Sequence, residues 1–132
     1  MLLGLDFESE IPIYIQIKQQ IIEGIATGKL KPGESLPSVR QFGADLGINL
    51  HTVNKAYNLL RQDGFIIIHR QKGVVVNPGD GPGVTQEYMD RLENDLKPMI
   101  AEAFCRGMPL EEFRAVCTGI FERLQKEGGR SQ

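Results

Sequence analysis

A mainly α-helical chain with a small β element is the fold class this sequence predicts, and three observations carry it. From Leu36 to Leu60 two short segments, each with one apolar face, are joined by Gly47-Ile48-Asn49. From Phe65 to Val76 two β-branched runs flank a short glycine-containing loop. Past a proline- and glycine-rich stretch, two longer segments repeat apolar residues every three or four positions. Together they describe a winged helix-turn-helix domain followed by a C-terminal α-helical hairpin used for dimerisation. The expected boundaries are a domain over residues 1–77 with an arm at 1–10, a linker over 78–84, and a two-helix tail over 85–132.

The arm, MLLGLDFESE, mixes Asp6, Glu8 and Glu10 with scattered apolar groups, and is expected to be loosely held. It has no basic leader region, and no segment of the chain approaches the roughly 20 apolar residues that cross a bilayer, so a cytoplasmic protein without a membrane partner is expected. Pro12 suits a first helical turn, and Tyr14, Ile17, Ile21 and Ile25 then mark one face of a helix ending near Gly28. Gly24 within it points to close packing. Lys31-Pro32-Gly33-Glu34 is a turn, and Ser35-Leu36 leaves room for a token strand.

Pro37 and Ser38 open the second helix, with Ser38 as its cap and Val39, Phe42 and Leu46 inward. Gly47 suits a left-handed stop, and Asn49 can cap the third helix, whose inner face is Val53, Ala56, Tyr57 and Leu60. Gly64 ends that helix. Phe65-Ile66-Ile67-Ile68 and Val74-Val75-Val76 then pair as a hairpin with Arg70 and Lys72 at its tip and Gly73 in its loop. In the tail, Met89, Leu92, Leu96, Met99 and Ala103 form one seam and Leu110, Phe113, Cys117, Ile120 and Leu124 another, separated by Gly107-Met108-Pro109. Pro98 should kink or restart the first tail helix. Two such helices cannot cover both seams with each other, so they need a partner surface: the winged domain of the same chain or, favoured because the glycine-rich linker disfavours a fixed intrachain interface, a second copy about a two-fold axis. Cys105 and Cys117, without CxxC or histidine spacing, are expected as buried small hydrophobes, and no metal site or cofactor is expected.

The outer face of the third helix carries Leu50, His51, Thr52, Asn54, Lys55, Asn58 and Arg61, with no carboxylate. Compact donors near its start and cations nearer its end suit a duplex groove, where acids would be repelled; a merely solvated face is the plainer alternative. The formal net charge of −2 is divided unevenly, since Lys18 to Asn77 holds eight bases and four acids. A basic module is thus joined to acidic flanks. Nothing in the spacing brings together an acid and a base or a nucleophile and its base, so no enzyme is expected. A winged fold kept for protein contacts alone is the competing expectation.

The run from Pro12 to Val76, and above all GKLKPGESLPSVR, the LGIN turn, TVNKAY and DGFI leading to Gly73, resembles the winged helix-turn-helix domain of the GntR family of bacterial transcription regulators. The short tail resembles its YtrA subfamily. The resemblance implies a homodimeric repressor of its own or an adjacent transporter operon, bound to double-stranded DNA at an imperfect palindrome. It implies DNA contacts from Pro37, Ser38, Arg40, Asn49, Leu50, His51, Thr52, Asn54, Lys55, Arg70, Lys72 and Gly73. Leu50 and Asn54 depart from the arginine common there in relatives, and Val74-Val75 from Thr-Phe. An unidentified small-molecule effector, if one is used, is expected in the cleft between the tail helices and the winged domain, lined by Tyr88, Leu92, Met99 and Phe104; the alternative makes these residues dimer core.

Overall fold

The apolar repeats of the first half of the chain become the core of a three-helix body with a β hairpin on its side. A computed structural model describes residues 4–129. Their elements are α1 (Ile13–Ala26), α2 (Val39–Leu46), α3 (Leu50–Gln62), β1 (Ile66–His69), β2 (Gly73–Val76), α4 (Gln86–Cys105) and α5 (Leu110–Gly128). The chain divides into two units between Pro82 and Gly83.

In the first unit α3 packs against both α1 and α2. Ile17, Ile21, Phe42, Val53, Ala56 and Leu60 are essentially inaccessible, as are Ile66 and Val76 from the hairpin. Burying each large aliphatic side chain contributes roughly 1.5–3 kcal/mol, so this cluster dominates the unit's stability. Gly24 is where the sequence required close approach: a Cβ there would lie 3.0 Å from Leu30 Cδ1. Gly47 ends α2 in the left-handed region at φ 67°, and the Ile48 N–H bonds back to the Gly43 carbonyl at 3.0 Å. One residue on, Asn49 Oδ1 accepts the His51 N–H at 2.8 Å, so the turn between α2 and α3 is closed from both ends.

β1 and β2 are antiparallel, pairing Ile66 with Val76 and His69 with Gly73. The token strand is a bridge between Ser35 and Val75, flanked by Leu36 N–H to Val74 O at 2.8 Å and Val76 N–H to Glu34 O at 2.9 Å. This bridge ties the hairpin to the segment that leads into α2.

Three expectations are corrected. The described part of the arm is not loosely held. Gln16, buried in α1, accepts the Asp6 N–H at 2.8 Å and donates to the carbonyls of Asp6 and Ile11 at 2.9 and 2.8 Å. Gln20 does the same with Gly4, accepting its N–H and donating to its carbonyl, both at 2.9 Å. Each amide thus replaces a strand neighbour for one arm residue, and Leu5 adds an apolar contact to the core.

In the second unit α4 does not restart at Pro98. It runs unbroken from Gln86 to Cys105, although Pro98 offers no N–H to the Asn94 carbonyl. Both tail helices are present, with Gly107 turning between them at φ 80°, but they do not lie along one another and neither has a buried residue. Cys105 and Cys117 are exposed free thiols, not buried ones, on helices that bury none of their own residues. An open groove runs along α4, lined by Met89, Leu92, Leu96, Ile100 and Phe104 among others.

Candidate nucleic-acid interface

The outward side of α3 is set by what its inward side buries. With Val53, Ala56, Tyr57 and Leu60 locked in the core, Asn49, Leu50, His51, Asn54 and Lys55 are left exposed and Thr52 half-buried. Leu50 is 44% exposed, an apolar group standing in solvent at the first helical position. The face is free of carboxylates, and its polar groups are short at the start of the helix.

α2, packed on α3, carries Arg40 in its first turn. Ser38 caps the helix, its Oγ accepting the Gln41 N–H at 3.1 Å, which leaves the hydroxyl proton available to an outside acceptor. Just before it, the Pro37 carbonyl accepts the Tyr57 hydroxyl at 2.8 Å. That bond runs from α3 to the start of α2 and fixes one helix against the other. Burial pushes the Tyr57 phenol well above its ordinary range, so it remains a donor at any ordinary pH. Arg40 is exposed and makes no hydrogen bond or ion pair among the described residues, unlike Gln41, which spends its amide on Asp45 at 2.6 Å. An unpaired guanidinium keeps its planar fork open to a base edge or a phosphate.

At the other flank, Arg70 and Lys72 occupy the hairpin tip with their side chains exposed, and Gly73 takes φ 76°. Sequence reasoning missed what shapes this tip: His69 Nδ1 accepts the N–H groups of both Gln71 and Lys72 at 3.1 Å. The signal was local, since a histidine two and three residues before those amides can close a turn as Asn or Asp does. It missed Tyr14 as well. Lys55 Nζ sits 4.0 Å from the centroid of that ring, a contact between α3 and α1 that no sequence window contains.

The structure places Asn49, Leu50, His51, Thr52, Asn54 and Lys55 at the start of α3, Pro37, Ser38 and Arg40 at the start of α2, and Arg70, Lys72 and Gly73 on a wing bridged to the segment that leads into α2. The expected dimer residues lie on α4 and α5. Met89, Met99, Leu110, Cys117 and Ile120 are exposed, while Leu92, Leu96, Phe113 and Leu124 are half-buried. Ile100, Phe104, Val116 and Phe121 extend the same stripes, and Phe104 is 81% exposed. Ile100, Val116 and Phe121 were missed because the seams were read at strict alternation of three and four, whereas an unbroken helix spreads its apolar stripe wider. Among the described residues no helix is long and apolar enough to cross a membrane.

Comparison with known proteins places this geometry. Residues 13–76 match the family model described as bacterial regulatory proteins, gntR family. The chain is 34% identical over 111 residues to the HTH-type transcriptional repressor YtrA of Bacillus subtilis, covering 84% of this chain and 85% of that one. Among solved structures, YtrA from Sulfolobus acidocaldarius, a GntR-family transcription factor, matches at 39% identity with a TM-score of 0.55, over 92% of this chain and 97% of that one. A transcriptional antiterminator from Listeria monocytogenes EGD-e matches at 27% identity with a TM-score of 0.83, over 100% and 97% respectively. A winged helix-turn-helix with an open α3 face, a short helical tail and relatives that match across most of their length leave one assignment: the chain belongs to the gntR family of bacterial regulatory proteins, DNA-binding transcription regulators, and is of the YtrA type.

Proposed function

We propose that the protein is a homodimeric repressor that reads an imperfect palindrome with two winged domains and acts on its own or an adjacent transporter operon. The observation that carries this reading is the carboxylate-free α3 face flanked by cations that no acid in the described chain neutralises. In it, Arg40 addresses a guanine O6/N7 pair or a neighbouring phosphate, and Asn54 an adenine. Leu50 meets a thymine methyl, while His51 and Thr52 supply shorter polar contacts from the start of α3. Ser38 and the amides of the α2 and α3 starts, with Arg70 and Lys72 on the wing, hold backbone phosphates or the minor groove.

The tails supply the pairing. Stripes of exposed leucine, isoleucine, methionine and phenylalanine on α4 and α5, helices with no buried residue, favour a second copy as their cover. A dimer would set two α3 helices in successive major grooves, roughly 34 Å apart.

A mobility-shift titration on the upstream region of the protein's own operon tests this, with Arg40→Ala and Lys72→Ala beside wild type. Wild type should prefer that region over random DNA and lose affinity steeply with salt, and Arg40→Ala should erode the preference more than Lys72→Ala. Equal, salt-insensitive binding to both DNAs would leave the protein-contact reading of the winged fold in its place.

A further inference from the structure

We infer that Lys55 contacts a phosphate, not a base, and that Tyr14 is the positioning residue that holds its ammonium there; the inference rests on the DNA-binding reading above. Lys55 lies on the exposed side of α3, next to Asn54, yet its Nζ is 4.0 Å from the centre of the Tyr14 ring. Tyr14 stands in the first turn of α1, half-buried against the core, so the ring is a fixed platform. α1 packs along α3, and the ring therefore draws the ammonium to the α1 flank of the recognition helix. Leu50 and His51 at the start of α3 have no such tether among the described residues, and neither has the side chain of Asn54.

The chemistry agrees with the placement. A lysine ammonium is a compact point charge with three donors and no acceptor, suited to a phosphate oxygen and poor at the paired readout of a base edge. The ring face attracts it through the aromatic quadrupole without consuming its N–H groups in an ion pair. No carboxylate is bonded to Lys55 among the described residues, so those donors stay open to a phosphate. Holding the flexible stem before DNA arrives removes an ordering cost that would otherwise be met on binding. Losing that order should weaken affinity by about two- to tenfold.

The test uses the full chain as wild type, Tyr14→Phe, Tyr14→Leu, Lys55→Met, and the Tyr14→Leu/Lys55→Met double variant. In the free protein, proton–carbon NMR should show the Lys55 ε-methylene shifted upfield by the ring in wild type and Tyr14→Phe, and unshifted in Tyr14→Leu. Binding is then followed by fluorescence anisotropy across a potassium chloride series, on a duplex from the protein's own upstream region and on one of random sequence. Lys55→Met should weaken both duplexes alike and flatten the log–log salt slope by about 0.9 per subunit. Tyr14→Leu should weaken both by about two- to tenfold, Tyr14→Phe should stay near wild type, and the double variant should be no worse than Lys55→Met alone. A Lys55→Met that changes sequence preference, additive losses in the double variant, or a Tyr14→Leu that binds as tightly as wild type each overturns the assignment. Should Tyr14→Leu fail to fold, the slope of the exposed-site variant Lys55→Met decides alone. Wild type that binds neither duplex overturns the DNA reading itself, an outcome distinct from wild-type binding with misbehaving variants.

Discussion

Replacing Tyr57 by phenylalanine removes one oxygen and isolates a single strut of the proposed interface. The ring stays in place, buried in the core with its centroid 5.9 Å from that of Phe42, so the apolar packing is kept. What goes is the 2.8 Å bond from the hydroxyl to the Pro37 carbonyl. That carbonyl is then left partly buried without this donor, a loss of roughly 1–2 kcal/mol given the range for an unsatisfied buried acceptor. For a domain of this size each kcal/mol lowers Tm by about 4–8 °C. The same change loosens the start of α2, where Ser38 and Arg40 sit, so DNA affinity should fall along with Tm even though Tyr57 is too buried to reach DNA.

A second reading comes from alkaline pH. The folded-state phenol is raised above the unfolded value of about 10 by burial, so the stability tied to its proton is complete below that pH and is lost as pH climbs towards the folded value. Wild type should therefore lose stability above about pH 10, and Tyr57→Phe should lose less over the same window. Urea and thermal denaturation at neutral and high pH, with an anisotropy titration on the upstream duplex, supply the comparison. A Tyr57→Phe protein with wild-type Tm, wild-type affinity and the same alkaline loss would show that this bond does not fix α2 against α3.

Three further outcomes follow from the geometry. Gln16→Ala removes two hydrogen bonds to Asp6 in the arm and one to Ile11, and should cost roughly 1–3 kcal/mol; hydrogen exchange at the Asp6 amide, now held at 2.8 Å, should accelerate sharply, and unchanged protection there would contradict the clamped arm. Gly47→Ala meets no neighbour within 4 Å, so its cost of about 1–2 kcal/mol should be purely conformational and Gly47→Asn should recover part of it in the same denaturation series. Light scattering should find wild type as the proposed dimer and a double Phe104→Asp/Ile120→Asp variant as a monomer that binds the operator more weakly while the winged unit's melting is intact; a variant that stays dimeric would remove α4 and α5 from the interface.

How much of this was legible in the chain divides along a physical line. The body of the winged domain was legible because its core is periodic. Val53, Ala56, Tyr57 and Leu60 recur on one face, and the residues needed at tight turns, Gly47 and Gly64, stand where the apolar repeat stops. The arm was misread because composition suggested a solvated segment, while the amides that hold it belong to Gln16 and Gln20, polar residues whose value appears only when the arm folds back. The restart expected at Pro98 failed for the opposite reason: a sound local rule about a missing N–H was outweighed by helical sequence on both sides. Cys105 and Cys117 look like core residues by type, yet each stands exposed on a helix that buries none of its residues. At the interface, the outward α3 residues were readable by subtraction from its buried face. The Tyr14–Lys55 and Tyr57–Pro37 contacts were not, since each joins residues far apart in sequence.

The central claim is that two copies of the α3 face enter successive major grooves on one side of a duplex. Hydroxyl-radical footprinting of the wild-type protein on its own upstream region measures that directly. The account predicts two protected patches on the same face, their centres about one helical turn or a small multiple of it apart and related by an imperfect two-fold. A single patch, or patches on opposite faces of the duplex, would contradict it.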